Sequence, residues 1–499
     1  MQLRERLRVL SPRPEPTEIA ATQRRRASPR LAIAGLSMSM LLSSLGNSIA
    51  SVALPTLATE FTASFAAVQW IVLAYLLAST TLLVTVGRLG DLTGRRRLLL
   101  VGIVLFTVAA AAAGAAPTLW VLIAARSAQG LGAAVMVTLT MALIGEVVPK
   151  EKTGSAMGLL GTMSAIGTAL GPSLGGALIA LAGWRAIFLL NVPLGLLSLV
   201  LVLRHLPADA RPRGGSRAGI DTPGTLLLAL TLGAYALAMT AGHGRFGSVA
   251  AGFLLATLGG LGLFVWRQQR AASPLIRLDA FRDAKLTRGL VMSMLVSTVM
   301  MATLVVGPFY LSRALALDAA RVGLVMSMGP LVSALTGVPA GRLVDRVGSS
   351  AMTLLGLGGM AVGAAALALV PGWGGPIGYV VPLVVITANY ALFQAANNTA
   401  VLANVIPDQR GVVSALLNLA RNLGLITGAS FLGAVFAIAA GGAGDVTQAS
   451  SDEVATGMQT TFAVATVLIL IAFAVGSRGR AALPRIPRER VEPGTGPRA

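Results

Sequence analysis

The sequence predicts an all-α membrane protein whose fourteen transmembrane helices follow a 6 + 2 + 6 order, with both termini in the cytoplasm. Of its 499 residues, 55% are apolar and 12% are charged, whereas a soluble domain carries about 25% charged residues. Apolar runs of about 20 residues, long enough to cross a bilayer as a helix, recur along the chain. A short charged turn appears twice, at residues 87–97 and 341–348, each time between two such runs.

The apolar runs place the spans in chain order. Six spans precede a Gly-rich pair, and six follow it. They lie near 31–55, 66–87, 98–116, 118–146, 154–182, 185–203, 223–242, 247–266, 289–312, 321–340, 349–370, 376–404, 411–440 and 456–476. The predicted segments are a basic tail (1–30), a six-helix bundle (31–203), a linker (204–288) with an extra hairpin (223–266), a second six-helix bundle (289–476) and a tail (477–499).

The basic residues predict the orientation of these spans. Of the 39 Lys and Arg residues, 33 lie on one side of the predicted arrangement, four lie on the other side, and Arg126 and Arg421 fall inside spans. Loops rich in Lys and Arg stay in the cytoplasm, so both termini are expected there, in a bacterial-type inner membrane. The net charge of +20 is therefore attributed to topology and the lipid surface, and nucleic acid is not expected as a partner.

The composition also limits which processing signals and reactive groups the chain can contain. The first 30 residues are polar and Arg-rich without an apolar core, so no cleavable signal peptide is expected. The chain has no cysteine and two histidines, which indicates neither a disulfide nor a metal centre. No cofactor and no catalytic residue are expected.

The repeated turn reads GRLGDLTGRRR at 87–97 and GRLVDRVG at 341–348. Both copies match in two glycines and one aspartate at a single offset, and that offset covers eight spans: one six-helix half and the extra pair. Parallel six-helix repeats are typical of transporters that bind substrate between their halves. The gating candidates are therefore Gly87, Asp91, Gly94, Arg95, Gly341, Asp345 and Gly348.

The residue types of the turn predict its chemistry. Gly87 and Gly94 are expected to allow a tight connection between two helices. Asp91 is expected to accept hydrogen bonds from a helix N-terminus or from the neighbouring arginines. Such a contact on one face of the membrane would have to break when that face opens.

At these residues the chain resembles the major facilitator superfamily, with Leu92 where the loop signature usually has arginine. Further stretches are similar to that superfamily's motifs and to those of its fourteen-helix drug:proton antiporters. They are QWIVLAY (69–75), RSAQGLGAA (126–134), GTALGPSLGG (167–176), WRAIFLLNVP (184–193), DTPG (221–224) and RNLG (421–424). The resemblance implies drug export in exchange for protons.

One stretch departs from that family. LGNSIASVALP (45–55) has Gly46 and Ser51 where the family usually has aspartate and asparagine, and no predicted span has a carboxylate near its middle. Proton exchange needs a group whose pKa shifts as its exposure changes. The coupling candidates are Glu146 first, then Asp91 and Arg126; each of the two carboxylates could instead cap or pair at the membrane surface.

Glycines in GTALGPSLGG form a second predicted feature. Gly167, Gly171 and Gly175 recur every four residues and give a smooth face for close helix packing. Pro172 removes a backbone donor and can bend the helix. Tight packing is expected, and with Gly176 the resemblance adds a role in antiport, in which the smooth face lets the halves rock and limits leak.

The two arginines inside spans are costly, about 2.5–3.5 kcal/mol each on insertion scales, and such residues usually face a bundle interior. Arg126 shares a helical face with Gln129, and Arg421 shares one with Asn418. Each arginine either contributes to transport or hydrogen-bonds carbonyls of a neighbouring helix. Without buried carboxylates, the cavity is expected to be neutral to positive, which favours neutral or anionic substrates.

A polar stripe in the twelfth span either lines the substrate cavity or joins helices through amide hydrogen bonds. Trp70 could also belong to an interfacial aromatic belt. The substrate-cavity candidates are Asn47, Trp70, Tyr75, Gln129, Tyr310, Tyr390, Gln394, Asn397, Asn398 and Arg421.

These observations predict a secondary transporter, and no enzyme. The first expectation is alternating-access export of small hydrophobic or amphipathic compounds in exchange for protons. The second is export or exchange of a neutral or anionic metabolite without proton coupling, and the third is a membrane scaffold or sensor. Expected partners are a small-molecule substrate, protons and the lipid bilayer; the sequence leaves the oligomeric state open.

Overall fold

The computed structural model describes residues 28–149, 153–207, 209, 221–240, 247–271, 274–275, 278–369, 374–403, 405, 410–441, 446 and 449–481. The regular structure in these ranges is helical, and fourteen helical segments are long and apolar enough to cross a membrane. The predicted all-α class and the number of spans are therefore confirmed. Most of the predicted N-terminal tail, most of the C-terminal tail and residues 210–220 of the linker lie outside the described residues.

The first half and the extra hairpin contain ten helices. They are α1 (Pro29–Val52), α2 (Leu54–Glu60), α3 (Phe65–Thr93), α4 (Arg95–Gly114), α5 (Leu119–Val147), α6 (Thr153–Ala182), α7 (Arg185–Leu189), α8 (Asn191–His205), α9 (Thr222–Thr240) and α10 (Ser248–Arg270).

The second half follows a short 3₁₀ turn at Leu278–Arg282. It contains α11 (Ala284–Phe309), α12 (Ala319–Val347), α13 (Ser349–Leu369), α14 (Gly375–Leu402), α15 (Arg410–Thr427), α16 (Gly433–Ala439) and α17 (Ser451–Ala481). Single π-turns follow α11 at Tyr310–Ala314 and α15 at Gly428–Leu432, and such π-turns often occur at functional sites.

Polar side chains begin several of these helices. Ser64 accepts from Ala67 N at 3.3 Å at the start of α3, and Thr118 accepts from Val121 N at 3.4 Å at the start of α5. Asp318 accepts from Arg321 N at 2.8 Å at the start of α12. These caps satisfy backbone donors that the first helical turn leaves unpaired.

The repeated turn defines one end of the bundle, which we call the signature end; the opposite end is the far end. α3, α5 and α12 finish at the signature end. α6 packs alongside α1 in the first half and also contacts α12 in the second half. This contact brings Gly176, near the end of α6, against Gly323, near the start of α12.

The extra hairpin packs beside the first half. Its helix α9 contacts α3 through a hydrogen bond from Trp70 Nε1 to Thr240 Oγ1 at 3.2 Å and a bond between the Thr85 and Thr225 hydroxyls at 3.0 Å. Helix α10 packs on α9 and is mostly exposed. Hence α9 separates α10 from the two halves.

Candidate gating and substrate site

Arg95 joins three elements at the signature end. Its Nε donates to Asp91 Oδ1 at 2.9 Å, and its Nη1 donates to Glu146 Oε1 at 2.6 Å. Asp91 lies in the last turn of α3, Arg95 begins α4, and Glu146 lies in the last turn of α5. One guanidinium therefore connects three consecutive spans.

The connection itself differs from the expected one. Gly94 has φ of +98° and separates α3 from α4, but Gly87 lies inside α3. In the second copy, Gly348 also has φ of +98°, and Gly341 lies inside α12. The prediction that Gly87 helps form the turn was wrong, because one residue in a glycine-favouring conformation is enough to join the helices.

A residue that the sequence reasoning missed binds the start of α4. Asp209 accepts from the backbone N of Arg96 at 2.8 Å and from that of Arg97 at 3.1 Å. A carboxylate is favourable at a helix N-terminus because its charge complements the exposed N–H groups. Asp91, for which the sequence left a helix N-terminus or the neighbouring arginines as donors, accepts from Arg95. Asp209 lies in the predicted linker (204–288), and no motif in the sequence marked it.

The second copy of the turn lacks this cluster. Ser349 occupies the position that corresponds to Arg95, so Asp345 has no equivalent arginine after the turn. Among the described residues, Asp345 is exposed and makes no recorded ion pair. The charged cluster therefore belongs to the first half.

Arg126 is fully buried, at 0% exposure, in the middle of the first half. Its Nε donates to Ile71 O at 3.1 Å, and its Nη1 donates to Gly46 O at 2.9 Å and to Gln129 Oε1 at 2.6 Å. The guanidinium carbon lies 4.4 Å from the ring centroid of Tyr75. Two backbone carbonyls, an amide oxygen and a π face thus contact the cation, while its buried Nη2 has no hydrogen-bond partner among the described residues.

Gly46 explains how this arrangement forms without a carboxylate. A Cβ atom on Gly46 would lie 2.9 Å from Phe106 Cζ and 3.6 Å from Gln129 Nε2. A larger residue would therefore require Phe106 to move. The neutral amide of Gln129 instead provides the side-chain oxygen that Arg126 binds.

The glycines of GTALGPSLGG lie against two other helices. A Cβ on Gly167 or Gly171 would clash with α1 at Leu41 or Ser48, and Ser48 Oγ donates to Gly167 O at 3.3 Å. A Cβ on Gly176 would lie 2.9 Å from Gly323 Cα. Gly175 faces α1 near Val52 and Ile49, and Pro172 lies inside the unbroken helix α6.

The halves also meet at the far end. Gln69 Nε2 in α3 donates to Ala429 O, in the π-turn after α15, at 3.0 Å. The ring of Phe65 lies edge-on to that of Phe309, with centroids 4.7 Å apart, and to that of Phe436, at 5.2 Å. The sequence reasoning identified the stretch QWIVLAY by its resemblance but did not select Gln69.

The same helices are separated at the signature end. Gly158 lies 18 residues before Gly176 on α6, and Gly341 lies 18 residues after Gly323 on α12. Eighteen residues make about five helical turns, or roughly 27 Å along each helix, so each pair shares one face. A Cβ on Gly158 or Gly341 would meet no described atom within 4 Å. The faces that touch at the far end are therefore apart at the signature end.

The candidate cavity residues separate into two groups. Buried, paired side chains include Tyr75, which donates to Ser43 O at 2.8 Å, Asn397, which donates to Gly289 O at 3.1 Å, and Tyr310, which stacks on Tyr379. Gln129 is also buried; its Oε1 accepts from Arg126, while its Nε2 has no hydrogen-bond partner among the described residues. Trp70 binds the hairpin. The more accessible group comprises Asn47, Tyr390 and Gln394, which are half-buried, and Asn398 and Arg421, which are exposed.

The sequence profile of the Major Facilitator Superfamily matches residues 36–429. The chain belongs to this superfamily. Two of its relatives have names that indicate different substrates. It is 29% identical to the riboflavin transporter RibZ of Clostridioides difficile (strain 630), over 80% of this chain and 86% of that protein. It is 31% identical to the multidrug resistance protein Stp of Mycobacterium tuberculosis (strain ATCC 25618 / H37Rv), over 78% of this chain and 72% of that protein.

A solved structure supports the fold of this superfamily member. The bacterial homologue of the human lysosomal transporter Spinster, in an inward-facing and occupied conformation, aligns with a TM-score of 0.66. The alignment covers 90% of this chain and 96% of the other at 16% identity. The major facilitator fold is thereby confirmed. The protein is a multi-pass membrane transporter rather than an enzyme, as the sequence predicted.

Proposed function

We propose that this superfamily member exports small hydrophobic or amphipathic compounds across a bacterial-type inner membrane by alternating access, in exchange for protons. The signature end, with its excess of arginine, is the cytoplasmic end. The contrast between the two ends of α6 and α12 carries the proposal, because a transporter closed at the far end and open at the signature end is ready to load from the cytoplasm. The similarity to Stp supports the drug-type substrate.

The charged cluster supplies the proton-coupling candidate. Glu146 and Asp91 share Arg95, and the side chains of Glu146 and Arg95 are 56% and 36% exposed at this end. Protonation of Glu146 would remove one of the two carboxylates that hold Arg95 and would loosen α5 from α4. Because the pair is exposed, it contributes only about 0–1 kcal/mol to stability. Protonation of Glu146 would therefore break it at little energetic cost.

Proton release from energised, everted membrane vesicles tests whether export is coupled to protons. A pH-sensitive dye reports internal alkalinisation when an exported compound is added. We expect a response from the wild type and from Glu60→Gln, which alters the 3.7 Å far-end pair with Arg185, and no response from Glu146→Gln. A Glu146→Gln protein that responds like the wild type would remove Glu146 from the mechanism.

A second candidate function follows from Gly46. The chain binds Arg126 through a neutral amide, and its relative RibZ is named as a riboflavin transporter. Export or exchange of a neutral or anionic metabolite without proton coupling is therefore the alternative. Compound movement that persists after the pH gradient is collapsed, without any proton release, would favour this alternative.

A further inference from the structure

The two arginines inside the spans have different environments. Arg126 is fully buried and hydrogen-bonded to three oxygen atoms. Arg421 is exposed in α15, and no hydrogen bond, ion pair or ring contact is recorded for its guanidinium among the described residues. The charge of Arg126 is accommodated by the protein itself. The charge of Arg421 is not.

Helical geometry places Arg421 on the inner side of α15. The hydroxyl of Tyr235, in the extra hairpin, lies beside the side chains of Thr427 and Ser430, and α9 contacts the π-turn that follows α15. These contacts mark the outer side of α15. Asn418 lies nine residues before Thr427, or about two and a half helical turns, and so lies on the opposite side. Arg421 follows Asn418 by three residues and shares its face. Both side chains are exposed. Because the hairpin lies on the opposite side of α15 and charged side chains in spans avoid lipid, we assign this face to the open space between the halves.

The depth of Arg421 fits a binding position. Ala429 accepts the hydrogen bond from Gln69 that closes the far end, and Arg421 lies eight residues from Ala429 toward the signature end. Eight residues correspond to about 12 Å along a helix. Arg421 therefore lies below the closed far end, deep in the space that is open toward the signature end.

No protein carboxylate lies at this depth within the described residues. Asp91, Glu146 and Asp345 lie in the last turns of their helices, and Asp221 lies just before α9, where it binds Arg267 at 3.0 Å. The other described carboxylates lie in loops or within a turn of a helix end. Charged side chains inside membrane proteins are paired or face a water-filled cavity. Arg421 has no carboxylate partner among the described residues and faces the open space, so its charge is available to a bound anion.

We infer that Arg421 binds an acidic group, most simply a carboxylate, on the transported compound, so that the substrates are amphipathic organic anions. The inference rests on the proposed export function and narrows its substrate class. A guanidinium can donate two parallel hydrogen bonds to one carboxylate. Asn418 and Asn422 lie beside it and offer amide donors to the same group.

Three probes that share a pyrene ring on a four-carbon chain and differ in charge test the inference. They are 1-pyrenebutyrate, its neutral amide and the cation 1-pyrenebutylamine. The full-length chain, in proteoliposomes, transfers tryptophan excitation to bound pyrene, and protein-free vesicles give the background. We expect the wild type to bind and transport the acid at least tenfold better than the amide or the amine. Arg421→Gln should weaken acid binding at least tenfold and leave amide binding unchanged, with Arg421→Lys intermediate.

Arg185→Gln, at the far end, is the matched control for the loss of one arginine and should bind all three probes like the wild type. If the wild type prefers the amine, or if Arg421→Gln weakens all probes equally, Arg421 does not recognise an acidic group and the export proposal stands. If the wild type transports none of the three probes, the proposed export of amphipathic compounds fails together with the inference.

Discussion

Arg95 Nη1 lies 2.6 Å from Glu146 Oε1, although the two residues are 51 positions apart in the sequence. The pair joins the start of α4 to the end of α5, and Asp91 extends it to α3. All three side chains lie at the end where the two halves are apart. An exposed cluster of this kind contributes little to the free energy of unfolding. We therefore expect its main role to be in transport.

Replacing Arg95 with glutamine should separate these two roles. We expect the free energy of unfolding to fall by less than about 1 kcal/mol, because exposed ion pairs are weak, while the transport rate falls at least tenfold. Thermal unfolding and proteoliposome transport, measured on one preparation, check this. A large loss of stability would show that the cluster mainly holds the helices together.

Asp209 should contribute to stability through α4. Asp209→Ala removes the acceptor for two backbone N–H groups, and loss of such a cap costs about 1 kcal/mol. Thermal unfolding of the purified protein measures the change. Asp345→Ala, at an exposed aspartate that caps no helix, is the control and should unfold like the wild type. Equal unfolding temperatures for both variants would contradict the capping role.

Gly46→Asp tests whether a side chain at position 46 fits beside Arg126. A Cβ there lies 2.9 Å from Phe106 Cζ, so the single substitution should lower stability by about 1–3 kcal/mol through overpacking. Adding Phe106→Leu should recover part of the loss and let the new carboxylate reach Arg126. Unfolding measurements on the single and double variants test whether the two substitutions are energetically coupled. Additive effects would mean that Phe106 does not limit this site.

The paired glycines of α6 predict opposite shifts in conformation. Gly176→Val should prevent close contact with Gly323 and favour the state that is open at the far end. Gly158→Val has no neighbour within 4 Å in the present state and should instead hinder closure at the signature end. The chain has no cysteine, so Val322→Cys, at a far-end residue that is 2% exposed, can report by labelling rate.

We expect labelling of Val322→Cys to be faster in the Gly176→Val background and slower in the Gly158→Val background than in the reporter alone. The same direction of change in both backgrounds would contradict the rocking of α6 against α12. The sign of each shift matters more than its size, because each valine disfavours only one of the two states.

Tyr235→Phe should loosen the hairpin from the second half. The tyrosine hydroxyl lies beside the hydroxyls of Thr427 and Ser430, whereas other residues of α9 bind α3 of the first half. Loss of these polar contacts should speed labelling of Val322→Cys, because they link the hairpin and the first half to the second half in the far-end-closed state. Thr225→Val, which removes a bond to Thr85 within the first-half contact, should leave the labelling rate unchanged.

The sequence alone determined the class of the protein, the number of spans and the positions of the paired turns. Few charges and long apolar runs restrict the chain to lipid-spanning helices, and the matched glycines and aspartates mark the repeat. Helical spacing also identified Arg126, Arg421 and the polar stripe as residues of interest. These features depend on the order of residues along one helix, which the sequence contains directly.

Tertiary structure decided which of those residues are satisfied by the protein and which remain accessible. Periodicity shows that Arg126 and Arg421 share faces with polar neighbours, but it does not show what each face meets. Packing brings Ile71, Gly46 and Gln129 around Arg126 and leaves Arg421 beside open space. It also brings Asp209 to α4 across 113 residues, because contacts between distant segments arise only when the helices assemble.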